Sequence, residues 1–203
     1  MTDEEFSEIL ASGYERRSTE FKCGGPRSAQ PLFAKVIRAV LGMANREDGG
    51  LVVIGVDDTG GVLSPTGVGS ADLATWRYDD VAAGIAAYAD PFVSFEMEIR
   101  EDQGLKFVVL AVSEFEETPV LCRKDFADVL RGGACYVRTR RKPETSEVPS
   151  QTEMRELLDL AVKKGLRKFM SQALASGLIS VVASPQQPTD AERYSVQLGG
   201  LIK

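Results

Sequence analysis

The sequence contains no histidine. That absence removes Ser-His-Asp hydrolysis, Cys-His proteolysis and His-ligated zinc or haem, because each needs an imidazole as base or ligand. Any acid–base or metal chemistry must therefore rest on carboxylates. Cysteine is scarce: Cys23, Cys122 and Cys135 are odd in number, far apart and form no C-x-x-C pair. This argues against a disulfide framework and a four-thiolate zinc site, and leaves reduced thiols as the expectation. No apolar run approaches the ~18–20 residues of a membrane-spanning helix. The opening acids Asp3, Glu4, Glu5 and Glu8 are the opposite of a secretory signal, so a cytoplasmic location without a membrane partner is expected. A G-x-x-x-x-G-K-[ST] segment is also lacking. Gly49-Gly50 and Gly60-Gly61 read as tight turns rather than a phosphate cradle, so no ATP site is expected.

An excess of positive charge is missing too: 24 Lys+Arg stand against 30 Asp+Glu, a net charge of -6, which argues against coating nucleic acid by bulk charge. The average hides an asymmetry. Glu96 to Glu117 carries seven acids and two bases, whereas Arg123 to Lys142 carries seven bases and two acids, so one face can be basic on an acidic chain.

What is present is the patterning of an ordinary α+β domain. Thr2 and Glu5 have capping-box spacing ahead of Phe6, Ile9 and Leu10, which predicts a first helix that stops at Gly13. Ser18 to Lys22 reads as a short strand. A core helix follows from Pro31, with Phe33, Val36, Ile37, Val40 and Leu41 on one face. Leu51 to Val56 has the look of one buried strand, Asp57 to Gly61 of a turn, and Val62-Leu63 of the return strand of a hairpin. A single helix is predicted over Asp72 to Ala89, and an antiparallel pair over Phe92 to Ile99 and Leu105 to Val112. Short strands near Pro119 to Cys122 and Ala134 to Thr139 flank Gly132-Gly133. Thr152 is read as the cap of a last helix whose apolar face holds Met154, Leu157, Leu158 and Ala161, running to Phe169 or beyond. Leu178 to Ala183 could form a strand, and Ser184 to Lys203 reads as an irregular tail. The expected architecture is a mixed, largely antiparallel sheet flanked by helices in a single lobe, residues 1–165. Residues 166–203 are expected to be a helical or irregular appendage, a candidate oligomerisation or docking segment.

Glu15 and Glu20 sit five apart. With Glu15 ending a turn and Glu20 on the next strand, both carboxylates can converge at one sheet edge. Asp57-Asp58 end a buried run, at the sheet rim where sites tend to form. Carboxylates held together repel, and Mg²⁺ or Mn²⁺ offsets that repulsion while generating hydroxide for phosphodiester hydrolysis. The competing interpretation is a turn before Gly60-Gly61 and a solvated surface at Glu15 and Glu20. Arg138, Arg140, Arg141 and Lys142 leave a predicted strand and could meet phosphates. Strand alternation puts Arg138 and Arg140 on one face and Arg141 on the other.

Four blocks taken together resemble the Schlafen AlbA_2 family over roughly residues 10–160: Glu15-Arg-Arg-Ser-Thr-Glu20-Phe21-Lys22; Ala44-Asn45 with Gly49-Gly50; Ile54-Gly55-Val56-Asp57-Asp58 with Gly60; and Cys135-Tyr136-Val137-Arg138. The resemblance implies Glu15, Glu20 and Asp58 as ligands of Mn²⁺ or Mg²⁺ and Lys22 as a phosphate partner, with Asp57 as the alternate third acid. It implies a metal-dependent endoribonuclease acting on structured RNA such as tRNA or rRNA, in a stress or phage-defence setting. Arg16, Arg17, Arg138, Arg140, Arg141 and Lys142 would seat the backbone. The vertebrate ribonucleases of this family carry a His/Cys zinc site and two related lobes. This chain can build no such zinc site and holds one copy, so a homodimer is expected. The alternatives are a non-catalytic DNA- or RNA-binding regulatory module and a pure protein-interaction domain.

Overall fold

Thr2 opens the chain's first helix through its side chain, which accepts from the Glu5 amide at 3.2 Å while the Glu5 carboxylate accepts from the Thr2 amide at 2.7 Å. In the computed structural model, which describes residues 1–178, this helix is α1 (Asp3–Ala11), and it buries Phe6 and Leu10. Strand β1 (Thr19–Lys22) follows, then α2 (Gln30–Ala44) with Pro31 in its first turn. Helix α2 is apolar almost all round, with Lys35 and Arg38 its only charged residues.

The expected continuous strand over Leu51–Val56 is broken at Gly55. Its φ of +117° suits glycine; its amide donates to Lys22 O at 2.8 Å, and its carbonyl accepts from the Thr66 and Gly67 amides at 2.9 and 2.8 Å. The run therefore splits into β2 (Gly50–Ile54) and β3 (Val56–Thr59), which leaves the main sheet and pairs with β4 (Val62–Pro65). Asp57 and Asp58 lie in strand β3 opposite Ser64 and Leu63, and not in the turn.

The single helix expected over Asp72–Ala89 is two: α3 (Ser70–Leu73) and α4 (Tyr78–Ala86). Between them the Thr75 hydroxyl donates back to Asp72 O at 2.6 Å, and the buried Trp76 indole donates to Gly25 O at 2.9 Å, so local polar bonds and one large ring override the helical period. Strand β5 (Ala89–Asp90), β6 (Phe95–Asp102), β7 (Leu105–Val112) and β8 (Leu121–Cys122) come next, then β9 (Tyr136–Arg138) and β10 (Thr145–Glu147). The pairings β5–β8 and β9–β10 are both antiparallel ribbons. The last helix, α5 (Gln151–Ala175), is capped at Ser150 rather than Thr152, the Ser150 hydroxyl accepting from the Glu153 amide at 3.5 Å. Its buried side carries Leu157 and Leu160, while Met154 and Leu158 face solvent, which corrects the expected face.

The main sheet has the order β1-β2-β7-β6, with β1 parallel to β2 and the other pairs antiparallel. It is α+β, mixed and largely antiparallel. Alternation sends Val52, Ile54, Val108 and Leu110 into the larger core with α2, and Val53, Phe107, Val109 and Phe21 into a smaller core with Phe6 and Leu10 of α1. Behind β2, Gly49 turns at φ +61° where an added Cβ would stand 1.9 Å from Val112 O, so only glycine fits.

The chain divides into two compact units, Met1–Lys164 and Gly165–Lys203. In the second, α5 continues to Ala175 with Leu166, Phe169, Met170 and Leu174 exposed. The strand and tail expected beyond residue 178 lie outside the described residues. Among those residues no helix is long and apolar enough to cross a membrane.

Candidate functional site

The site follows from β1 being an edge strand. Phe21 faces the α1 core, so alternation turns Glu20 to the α2 side of the sheet. There the β9–β10 ribbon brings up Arg138 and Thr145. The Arg138 side chain has no exposed surface, and that of Glu20 keeps 8%. Arg138 Nη1 donates to Glu20 Oε2 at 2.9 Å, and Thr145 Oγ1 donates to the same oxygen at 2.5 Å. Lys22 Nζ donates to Glu20 Oε1 at 2.5 Å. Glu15 reaches the same guanidinium from the preceding turn, its Oε2 lying 3.4 Å from Nη2 and 3.5 Å from Nη1. Its Oε1 accepts from the Phe21 amide at 2.9 Å.

The rest of the guanidinium answers a backbone need. Arg138 Nη2 donates to the carbonyls of Arg16 and Thr19 at 2.8 and 3.0 Å, and Nε to that of Arg17 at 3.4 Å. One side chain thus satisfies carbonyls at and just before the start of β1 and sets its single positive charge against two acids, with Lys22 supplying a second charge to Glu20. Behind Thr145 stands Gly42 of α2, where a Cβ would fall 2.6 Å from Thr145 Cγ2. Burial pushes the Glu15 carboxyl above the usual carboxylate value, with the Glu20 charge adding to the rise; the Phe21 amide and the Arg138 charge act against it.

Glu15 and Glu20 line a cleft of about 660 Å³ together with Lys22, Asp58, Lys35 and Arg38. Tyr14, Leu63 and the loop pair Lys142 and Glu144 complete its walls. The expected convergence of the two glutamates at a sheet edge is therefore what the structure has, and Asp58 rather than Asp57 faces their cleft. Asp58 is exposed and accepts from the Gly61 amide at 2.7 Å, closing its hairpin. Among the described residues no three acid or thiol side chains are grouped to hold a metal ion, and the place between Glu15 and Glu20 is taken by Arg138.

The arginines expected to seat a backbone separate into three groups. Arg138 is interior, which corrects its expected place on the phosphate-facing surface. Arg17 and Arg140 both pair with Glu156, Arg17 at 2.9 Å. Arg16, Arg141 and Lys142 are exposed: Arg16 stands over the Tyr14 ring at 5.8 Å, Lys142 pairs with Glu144 at 2.8 Å, and Arg141 has no ion-pair partner among the described residues. The hydrogen bond and charge of Glu144 hold the Lys142 ammonium above its ordinary value. Burial pushes the Cys135 thiol up to about 11 and raises that of Cys122, so both stay protonated at neutral pH, and all three cysteines are free.

Sequence reasoning missed Thr145, Lys35, Arg38 and Tyr14. Lys35 and Arg38 carried a signal, since two bases three apart on an otherwise apolar helix must share a face. Thr145 carried none, because its role depends on a contact across 125 positions. Asn45, in one of the resembling blocks, is a buried fastener. Its Oδ1 accepts from the Val120 amide at 2.7 Å, and its Nδ2 donates to the carbonyls of Val120 and Tyr136 at 2.8 and 2.9 Å.

The Schlafen, AlbA_2 family pattern matches residues 15–146, from the first acid of the site to the residue after Thr145. The crystal structure of the DIP2311 protein from Corynebacterium diphtheriae matches with a TM-score of 0.50 at 18% identity, over 71% of this chain and 26% of that one. The likeness is one of fold, and the chain spans about a quarter of that protein. The N-terminal domain of a RecG-related protein from Nitrosomonas europaea gives a TM-score of 0.47 at 20% identity, over 74% of this chain and 98% of that domain. No curated protein matches the chain.

Proposed function

Because the chain belongs to the Schlafen AlbA_2 family, we propose that it is a nucleic-acid-binding domain whose cleft beside β1 engages the phosphodiester backbone. The observation that carries this is the convergence of Lys22, Lys35, Arg38 and Lys142 on one cleft. Lys35, exposed and without an ion-pair partner among the described residues, is the cation most available to a phosphate. Such contacts give affinity without sequence readout and release counterions. Binding of a tRNA pool and of duplex DNA across a salt series tests it. A steep fall of affinity with salt, weakened by Lys35→Ala, is expected. No affinity at low salt refutes it and leaves a protein-interaction domain.

Cleavage of the bound strand is the second reading, favoured by Glu15, Glu20, Lys22 and Asp58 lining the same cleft. In it Lys22 faces the scissile phosphate, and Glu15, whose carboxyl burial holds above the usual carboxylate value, carries the proton. Mn²⁺ or Mg²⁺ is the ion expected to support it. Folded RNA is incubated with wild type and Glu15→Gln, with and without each ion. Cutting by wild type that Glu15→Gln loses supports the reading; an intact pool under all conditions ends it.

A further inference from the structure

The cleft contains a feature that phosphate binding alone does not require. Tyr14 lines it, yet the residue is 59% exposed and is absent from both hydrophobic cores. The backbone beneath it is set: Gly13 turns at φ +67°, and the Ser12 hydroxyl donates to Tyr14 O at 3.3 Å. The ring is therefore presented at the cleft by its own turn, and the Arg16 guanidinium stands over it at 5.8 Å from the centroid, a distance at which a cation attracts a π-face. The other walls supply cations at Lys22, Lys35, Arg38 and Lys142, and further apolar surface at Leu63.

A ligand matched to this lining carries a negative group and a flat, polarisable face together. Inorganic phosphate uses the cations and leaves the ring idle. A base-paired duplex offers phosphates but keeps its base faces stacked on one another. A nucleotide in a single-stranded stretch, or one unpaired in a loop, offers both. Building on the binding function proposed above, we infer that the ligand is a strand with at least one unpaired base, and that Tyr14 is the platform on which this base stacks while Lys35 and Lys142 meet its phosphates.

The test compares a short single strand, as RNA and as DNA, each carrying 2-aminopurine, with a blunt duplex of the same sequence and with inorganic phosphate as competitor. The expected result is tighter binding of the single strand and quenching of its 2-aminopurine in the complex. Tyr14→Ala should weaken that binding by roughly 5- to 150-fold, the range of one base–aromatic stack, and abolish the quenching, while duplex affinity stays unchanged. Tyr14→Phe keeps both, since the ring and not the hydroxyl is used. Because the ring is exposed, truncation should leave the thermal melt unchanged. Single-strand binding that is insensitive to Tyr14→Ala, or duplex bound as tightly as single strand, overturns the stacking inference and leaves the binding function standing. Failure of both strands to bind overturns the two together.

Discussion

Replacing Arg138 by Met is the most searching test of the site, because it keeps much of the side chain's volume and removes every donor. The loss falls first on Glu20, whose side chain retains 8% exposure and would keep only Lys22 and Thr145 as partners. Breaking a buried ion pair from one side costs about 3–5 kcal/mol. The two remaining partners and the long 3.4–3.5 Å approaches to Glu15 place this case at the lower end. The carbonyls of Arg16, Arg17 and the buried Thr19 lose their donor as well, which keeps the cost from falling below this range. The expectation is a loss of about 3 kcal/mol in urea unfolding with an unchanged slope, or a fall in Tm of roughly 6–12 °C for a domain of this size. In the Arg138→Met background, Glu20→Gln should be much less harmful than in wild type, giving a coupling of about 1 kcal/mol or more. A loss below about 1 kcal/mol, or two strictly additive losses, refutes the assignment of Arg138 as the counter-charge of Glu20.

Glu15 makes a pH signature. Burial holds its carboxyl above the ordinary 4.5, so between that value and the folded one the native chain keeps a proton that the unfolded chain has released. This group's contribution to stability therefore falls as pH rises through that window and returns on acidification. The stability of wild type relative to Glu15→Gln should grow as pH is lowered from neutrality toward 4.5, and a difference that shrinks reverses the assigned cause. Gly42→Ala drives a methyl to 2.6 Å from Thr145 Cγ2. It should cost roughly 1–3 kcal/mol as an overpacked contact and weaken nucleic-acid binding by shifting Thr145 off Glu20; unchanged melting shows that the helix and ribbon yield freely.

The sequence made the fold class readable because long periodic segments dominate it. The apolar face of α2, the capping box at Thr2 and the alternating run into β6 each state their period over enough residues to decide. The errors fall where one local interaction outweighs a period: the backbone of Gly55 cutting Leu51–Val56, Trp76 and Thr75 cutting the helix after Asp72, and Ser150 in place of Thr152. The site was half legible. Glu15, Glu20 and Lys22 lie within eight residues, and the strand placed them together. Their partner did not show, since an arginine at the end of a basic cluster reads as a surface contact until the ribbon carrying it is seen to dock on an edge strand. Burial, and not charge pattern, decides between a phosphate ligand and an internal counter-charge, and burial is a property of the assembled fold.

The cation that separates the two glutamates is tethered to the polypeptide. No chelator can strip it and no dilution can dissociate it, so this one positive charge between the two acids is supplied by the polypeptide itself. Loss of the charge at position 138 would fall on Glu20 across the chain, which ties substitutions in the ribbon to those in the sheet.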